Sequence, residues 1–182
     1  MIERANLVPM VGGLKKARVL CIGDVMLDHF KYGSVDRISP EAPIPVLNVE
    51  RQDTMLGGAG NVVRNLVALG AGARFVTIVG KDGDGRDIAR QIKGHGIKET
   101  PIIDDGRRTS TKTRYIAGVQ QVLRADRETA HPLDAKTEAK LLQAAKAGMR
   151  GCKAVILSDY GKGVLSGGIA AKIINIARHA KK

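Results

Sequence analysis

The sequence predicts an α/β fold, a mostly parallel sheet covered by helices with a small antiparallel flap set beside it. Three apolar runs, Val19 to Ile22, Phe75 to Val79 and Ala154 to Leu157, read as strands buried on both faces. The segments between and after them carry apolar residues at helical spacing, and strands alternating with helices imply parallel pairing. Two other stretches, Tyr32 to Val49 and Thr109 to Arg124, alternate with a period of two and read as antiparallel strands apart from the main sheet.

Residues 1–16 read as a poorly ordered leader. Its apolar part, Leu7 to Leu14, is short, broken by Pro9, Gly12 and Gly13 and preceded by Glu3 and Arg4, which fits neither a signal peptide nor a membrane span. After the first strand, Gly23-Asp24-Val25-Met26-Leu27-Asp28 reads as a strand-end turn. That is where open α/β sheets meet their ligands, and two carboxylates there suit sugar hydroxyls. The alternative is that Asp24 accepts backbone N–H bonds and Asp28 caps the next segment of chain. In the first flap Pro40, Pro43 and Pro45 forbid central ladder positions, so Ile44 to Val49 begins as an edge strand.

Gly57-Gly58-Ala59-Gly60-Asn61 precedes the stripe Val62, Val63, Leu66 and Val67, so its glycines let backbone N–H groups approach a ligand at the positive end of a helix. The cluster is neither a dinucleotide fingerprint nor a Walker A loop. Lys81 to Asp87 has the wrong ligand order for a calcium loop and reads as a strand-to-helix turn with an Asp cap. Arg107, Arg108, Lys112 and Arg114 form a basic cluster on the second flap. Lys112 and Arg114 share one side of it and suit a phosphate, or else a solvated edge. Leu141, Leu142, Ala145 and Met149 mark the third helix, and Ile169, Ile173 and Ile176 the last. Between those helices Ser158-Asp159-Tyr160-Gly161-Lys162-Gly163 comes after a buried strand. Asp159 and Lys162 there either orient a phosphorylated ligand or belong to a capped turn.

With 182 residues, 43% hydrophobic, the chain is long enough for one domain with a real core. A net charge of +12 points to anionic partners. Two Phe, three Tyr and no Trp leave little for base stacking, which argues against single-stranded nucleic acid and RNA. Cys21 and Cys152 lie in or beside apolar strands and read as buried thiols in a reducing cytoplasm. The four His are scattered without ligand spacing, so no metal site is expected.

Taken together, Gly23 to Asp28, Arg37-Ile38-Ser39-Pro40-Glu41-Ala42-Pro43-Ile44-Pro45-Val46, Gly57 to Asn61, Thr111-Lys112-Thr113-Arg114, Gln120-Gln121-Val122-Leu123-Arg124 and Ser158 to Gly163 resemble the ribokinase-like family of carbohydrate kinases. The resemblance is closest to the bacterial branch acting on D-glycero-β-D-manno-heptose 7-phosphate, and it runs from Ala17 onward. It implies a three-layer ribokinase-like fold, with residues 17–182 as the N-terminal portion of the kinase domain and lid segments at about 31–50 and 108–125. It also implies transfer of a phosphoryl group from ATP with Mg2+ to the sugar O1, giving the 1,7-bisphosphate used for ADP-heptose and the lipopolysaccharide core. By resemblance Asp28, Gly57, Gly58 and Asn61 hold sugar hydroxyls, and Asp24 and Asp159, from their own strand-end positions, are read as further substrate-binding residues. The lid doubles as a homodimer clasp. Lys112, Arg114 and Lys162 are candidates for the 7-phosphate. The family's general base is an Asp in a Gly-Ala-Gly-Asp turn, whereas Gly70-Ala71-Gly72-Ala73 here has Ala at that place. The expectation is an acceptor-binding half, with the base and most of the ATP site in a C-terminal part that is missing. The alternatives are a non-catalytic sugar-phosphate-binding or dimerising fragment and a kinase of the same fold with another sugar acceptor.

Overall fold

A computed structural model describes residues 11–97, 99 and 101–182; most of the expected leader therefore lies outside the described residues. In chain order the elements are a 3-10 turn (Leu14–Lys16), β1 (Arg18–Gly23), β2 (Val25–Ile38), β3 (Pro45–Gly58), α1 (Ala59–Ala68), β4 (Gly72–Val76), β5 (Ile78–Gly80), α2 (Gly83–Gly94), β6 (Ile102–Asp104), β7 (Thr111–Ala117), β8 (Gln120–Arg127), α3 (Ala135–Gly148), β9 (Ala154–Ser158) and α4 (Ile169–His179).

The main sheet has the order β4-β1-β9, parallel throughout. Because side chains alternate along β1, it feeds two cores at once. Leu20 and Ile22 pack with Leu141 and Ala145 of α3, Met149 just past its end, and Ile169 and Ile173 of α4. Cys21 packs with Phe75, Val63, Ile88 and Ile92, on the side of α1 and α2. Helices thus cover both faces, giving three layers. Each fully buried Leu, Ile or Phe contributes about 1.5–3 kcal/mol of transfer free energy. Burial in the second core pushes the Cys21 thiol up to about 12, so it behaves as a small apolar side chain. Both cysteines are free and buried, in keeping with their apolar context in the sequence.

Phe75 to Val79 is two strands rather than one. β4 stays beside β1 up to Val76, and β5 then leaves to pair in parallel with β6. The break is at Thr77, whose buried hydroxyl donates to Gly23 O at 2.7 Å and ends the ladder where β1 ends.

The second sheet, in the order β3-β2-β7-β8, is larger than the two flaps expected at 31–50 and 108–125. β2 and β3 have 14 residues each and reach back to Val25 and Gly58. Their pairing is continuous from Ile38↔Pro45 to Val25↔Gly58 apart from two bulges. Gly23 to Asp28 is therefore a one-residue break and then a strand. Val25 and Leu27 are buried in the second core, and alternation turns Met26 and Asp28 to the opposite face. The sheet is also mixed, since β2 and β7 pair in parallel between the two antiparallel hairpins. β3 begins at Pro45 and is an edge strand, as the prolines require.

Asp82 caps α2, as the Lys81 to Asp87 turn predicted, with Oδ1 accepting from Gly85 N at 2.8 Å. The same carboxylate accepts from the Thr109 amide at 2.9 Å and its hydroxyl at 2.7 Å, tying the start of α2 to the approach to β7. Burial works against its charge, but the bonds from Thr109 and Gly85 and the nearby Arg127 outweigh it and hold the carboxyl below its usual range. A depressed folded-state value means that the stabilisation is present above the unfolded pKa of about 3.9 and is lost as pH falls through the folded value. Asp82→Ala is expected to lower stability at pH 7 by about 2 kcal/mol. Urea unfolding between pH 7 and pH 3 should then show a smaller acid loss in the variant than in the wild type.

Candidate functional site

The carboxyl end of β1 meets the loop after β9 and the start of α1 at one residue. Asp24 is 1% exposed. Its Oδ2 accepts from Tyr160 N at 2.8 Å and Lys162 N at 3.1 Å, and Oδ1 accepts from Val164 N at 3.0 Å. Its own N–H donates to Ser158 O at 3.1 Å, and its carbonyl accepts from Ala59 N at 2.9 Å. The loop can turn its amides onto one carboxylate because Gly161 and Gly163 take left-handed conformations, with φ of 68° and 96°. Asp24, at the strand end, has both oxygens engaged by these amides and sets the loop in place.

Asp28 lies on β2 with its side chain 15% exposed, and Arg114 Nη1 of the neighbouring β7 donates to its Oδ1 at 2.8 Å. The Arg114 guanidinium also lies 5.1 Å from the centre of the Phe30 ring, so it is fixed between a carboxylate and an aromatic face. Gly57 of β3 pairs with Met26 and lies diagonally across from Asp28, where a Cβ would overlap the second oxygen of Asp28. Gly58, at φ 57° and ψ −132°, turns the chain into α1, and no side chain caps the helix there. The first-turn amides of α1 thus carry the positive end of a helix dipole beside Asp28's strand. Asn61, also in that turn, is exposed.

Lys112 is the register partner of Asp28 across β2 and β7. Its ammonium contacts Asp126 Oδ2 at 2.8 Å and Glu128 Oε1 at 3.0 Å, while Lys162 reaches Glu128 Oε2 at 2.6 Å. The bonds to Asp126 and then Glu128 raise the Lys112 ammonium above its ordinary value, and those from Lys162 and then Lys112 lower the Glu128 carboxyl. Asp159 is exposed and its Oδ1 accepts from Gly161 N at 2.9 Å, a turn-capping bond within its own loop.

Arg107 does not belong with the surface cations of the second flap. Its side chain is 4% exposed. It contacts Asp104 Oδ2 at 3.3 Å and donates to the carbonyls of Thr129 at 3.1 Å, Lys162 at 2.5 Å and His131 at 2.9 Å. It therefore holds the Lys162 loop from below, as Asp24 holds it from the β1 side. The structure brings Asp28, Arg114, Gly57 and Lys112 onto one face and links Lys162 to them through Glu128. Sequence reasoning missed Glu128 and Asp126. The signal was present in the spacing Asp126-Arg127-Glu128, which continues the face of β8 that pairs with Lys112, but it needs the β7–β8 register to be read.

Among the described residues, no group of three or more His, Cys, Asp or Glu side chains could hold a metal ion, and no helix is long and apolar enough to cross a membrane. Residues 16–181 match the model of the pfkB family of carbohydrate kinases. The chain belongs to that family. As a pfkB-family chain it is 51% identical over 183 residues to the bifunctional protein HldE of Paramagnetospirillum magneticum, covering all of this chain and 38% of that protein. It is 48% identical over 177 residues to HldE of Acidiphilium cryptum, covering 97% of this chain and 36% of that one. The chain thus spans less than two fifths of these curated relatives. Its fold matches a carbohydrate kinase from Agrobacterium tumefaciens with a TM-score of 0.66 at 20% identity, covering 91% of this chain and 52% of that one. It also matches 2-dehydro-3-deoxygluconokinase from Thermotoga maritima, with a TM-score of 0.65 at 17% identity over 91% of this chain and 48% of that one. The architecture is the ribokinase-like one, over about half of those structures.

Because Asp24 organises this pfkB-type strand end, Asp24→Asn should cost about 3 kcal/mol, since a carboxamide offers one acceptor and turns an NH2 toward the remaining amide. Hydrogen exchange should accelerate at the amides of Tyr160, Lys162 and Val164. Unchanged protection there would show that the loop holds itself.

Proposed function

We propose that this chain supplies the acceptor-binding part of a sugar kinase that phosphorylates D-glycero-β-D-manno-heptose 7-phosphate at O1, with ATP and Mg2+ as donor. The observation that carries the reading is the fixed Asp28–Arg114 pair beside Gly57, with two lysines on the same side of the second sheet. A carboxylate accepts from sugar hydroxyls, the open first turn of α1 and Asn61 donate to them, and Lys112, Arg114 and Lys162 offer the fork and point charges that suit a phosphate. Family membership and the identity to HldE proteins support a sugar phosphate as the substrate class.

Among the described residues no cluster of acidic side chains fits a Mg2+ site. Asp24, Asp28, Asp126 and Glu128 are each engaged by amides or cations. The Gly70 to Ala73 turn, with φ of 85° at Gly70, joins α1 to β4 and carries no carboxylate. Phosphoryl transfer needs both substrates positioned and a nucleophile aligned, so catalysis is assigned to residues beyond these. In this reading the second sheet is a lid over the sugar. Its exposed Val35, Ile38, Ile44, Val49, Val122 and Leu123 form the contact of a homodimer, and the protein works in the cytoplasm.

Calorimetric titration with heptose 7-phosphate should show saturable binding to the wild-type chain, weakened at least about tenfold in Asp28→Ala. Equal binding of fructose 6-phosphate would point to another acceptor within the same fold. No binding by the folded chain would overturn the reading of a complete acceptor site.

A further inference from the structure

The two lysines offered to a phosphate are already bridged by an anion of the protein's own. Glu128 places one carboxylate oxygen 3.0 Å from Lys112 Nζ and the other 2.6 Å from Lys162 Nζ. Lys112 rises from β7 of the second sheet and Lys162 from the loop after β9, so this carboxylate spans the gap between sheet and core. We propose that Glu128 is a built-in stand-in for the ligand's phosphate, which must swing out of the bridge when a phosphorylated ligand binds; this rests on the assignment of Lys112 and Lys162 to that phosphate.

The surroundings make Glu128 the displaceable partner. Asp126 lies within β8, in register with Lys112, and also pairs with Arg124 at 3.0 Å, so the ladder and a second cation hold it. Glu128 lies one residue past the end of β8, free of the ladder. Its side chain is 27% exposed, against 18% and 19% for the two lysines, so it has solvent to rotate into while the ammonium groups stay in place. The backbone just beyond it is anchored, with Arg107 holding the carbonyls of Thr129 and His131, and this confines the movement to the side chain.

Charge decides the exchange. A phosphate monoester brings about 1.5–2 negative charges and three acceptor oxygens, against one charge and two oxygens for the carboxylate. The lysines therefore gain when the two are exchanged. A neutral sugar presents nothing that can displace Glu128, so the bridge stays shut and the sheet stays clasped to the core. The stand-in makes the site selective for phosphorylated ligands at the cost of weaker absolute affinity.

The test is titration of the purified chain with inorganic phosphate at fixed ionic strength, for wild type, Glu128→Gln and Lys162→Gln. Glu128→Gln keeps the shape but removes the charge, and it should bind phosphate about tenfold more tightly than wild type. Lys162→Gln should lose most of the affinity. If Glu128 merely orders the lysines, Glu128→Gln binds phosphate equally or more weakly, and the proposal falls. It also falls if no variant, Glu128→Gln included, binds phosphate while amide spectra show the folded chain. Heptose 7-phosphate run in parallel separates the two readings. Tighter phosphate binding in Glu128→Gln with no extra affinity for the heptose ester would sustain the stand-in and overturn the heptose assignment.

Discussion

One buried carboxylate organises this molecule. Asp24 is the single residue between the central strand of the main sheet and β2 of the second, and its backbone and side chain together engage β1's neighbour, the loop after β9 and the first turn of α1. Such a group is tolerated in a closed environment only because amides surround it, and those amides are presented only because glycines let the loop fold back on itself. Gly23 belongs to the same arrangement, since a Cβ there would overlap the Ser158 carbonyl. The position of Lys162 and the approach of Gly58 to the strand end both result from satisfying Asp24.

The second constraint is electrostatic. The chain carries a net charge of +12, yet the cations on the Asp28 face are each paired: Arg114 with Asp28, Arg124 and Lys112 with Asp126, and Lys162 with Glu128. A surface built this way does not attract anions indiscriminately. It admits one that outcompetes a carboxylate at a particular pair of ammonium groups, which is a property of geometry rather than of net charge.

The layered α/β architecture was legible because its signals are local. Continuous apolar runs mark the buried strands, and the stripes Val62 to Val67 and Leu141 to Met149 mark helices whatever their partners. What escaped was register. Asp28 reads as a turn residue until β2 is seen to continue through it, and the extent of that strand depends on pairing with β3 and with β7, whose register partners such as Leu27 and Thr111 lie far apart in the chain. Arg107 reads as a surface cation because nothing near it in sequence reveals the carbonyls of Thr129, His131 and Lys162 that enclose it. Asp159 makes the turn-capping bond and Asp24 the backbone N–H bonds that their sequence contexts also allow.

The length of β2 has a mechanical meaning. Fourteen residues of strand rising about 3.3 Å each make an arm of roughly 45 Å, bent at its two bulges and pinned at one end where Asp24 and Gly58 cross. With one residue between it and β1, the arm has no slack at its base, and a rotation there of about 5° would carry its tip roughly 4 Å. Small adjustments among the amides around Asp24 are therefore magnified at the far end of the sheet, and a load on the tip is felt, with leverage, at the loop that carries Lys162.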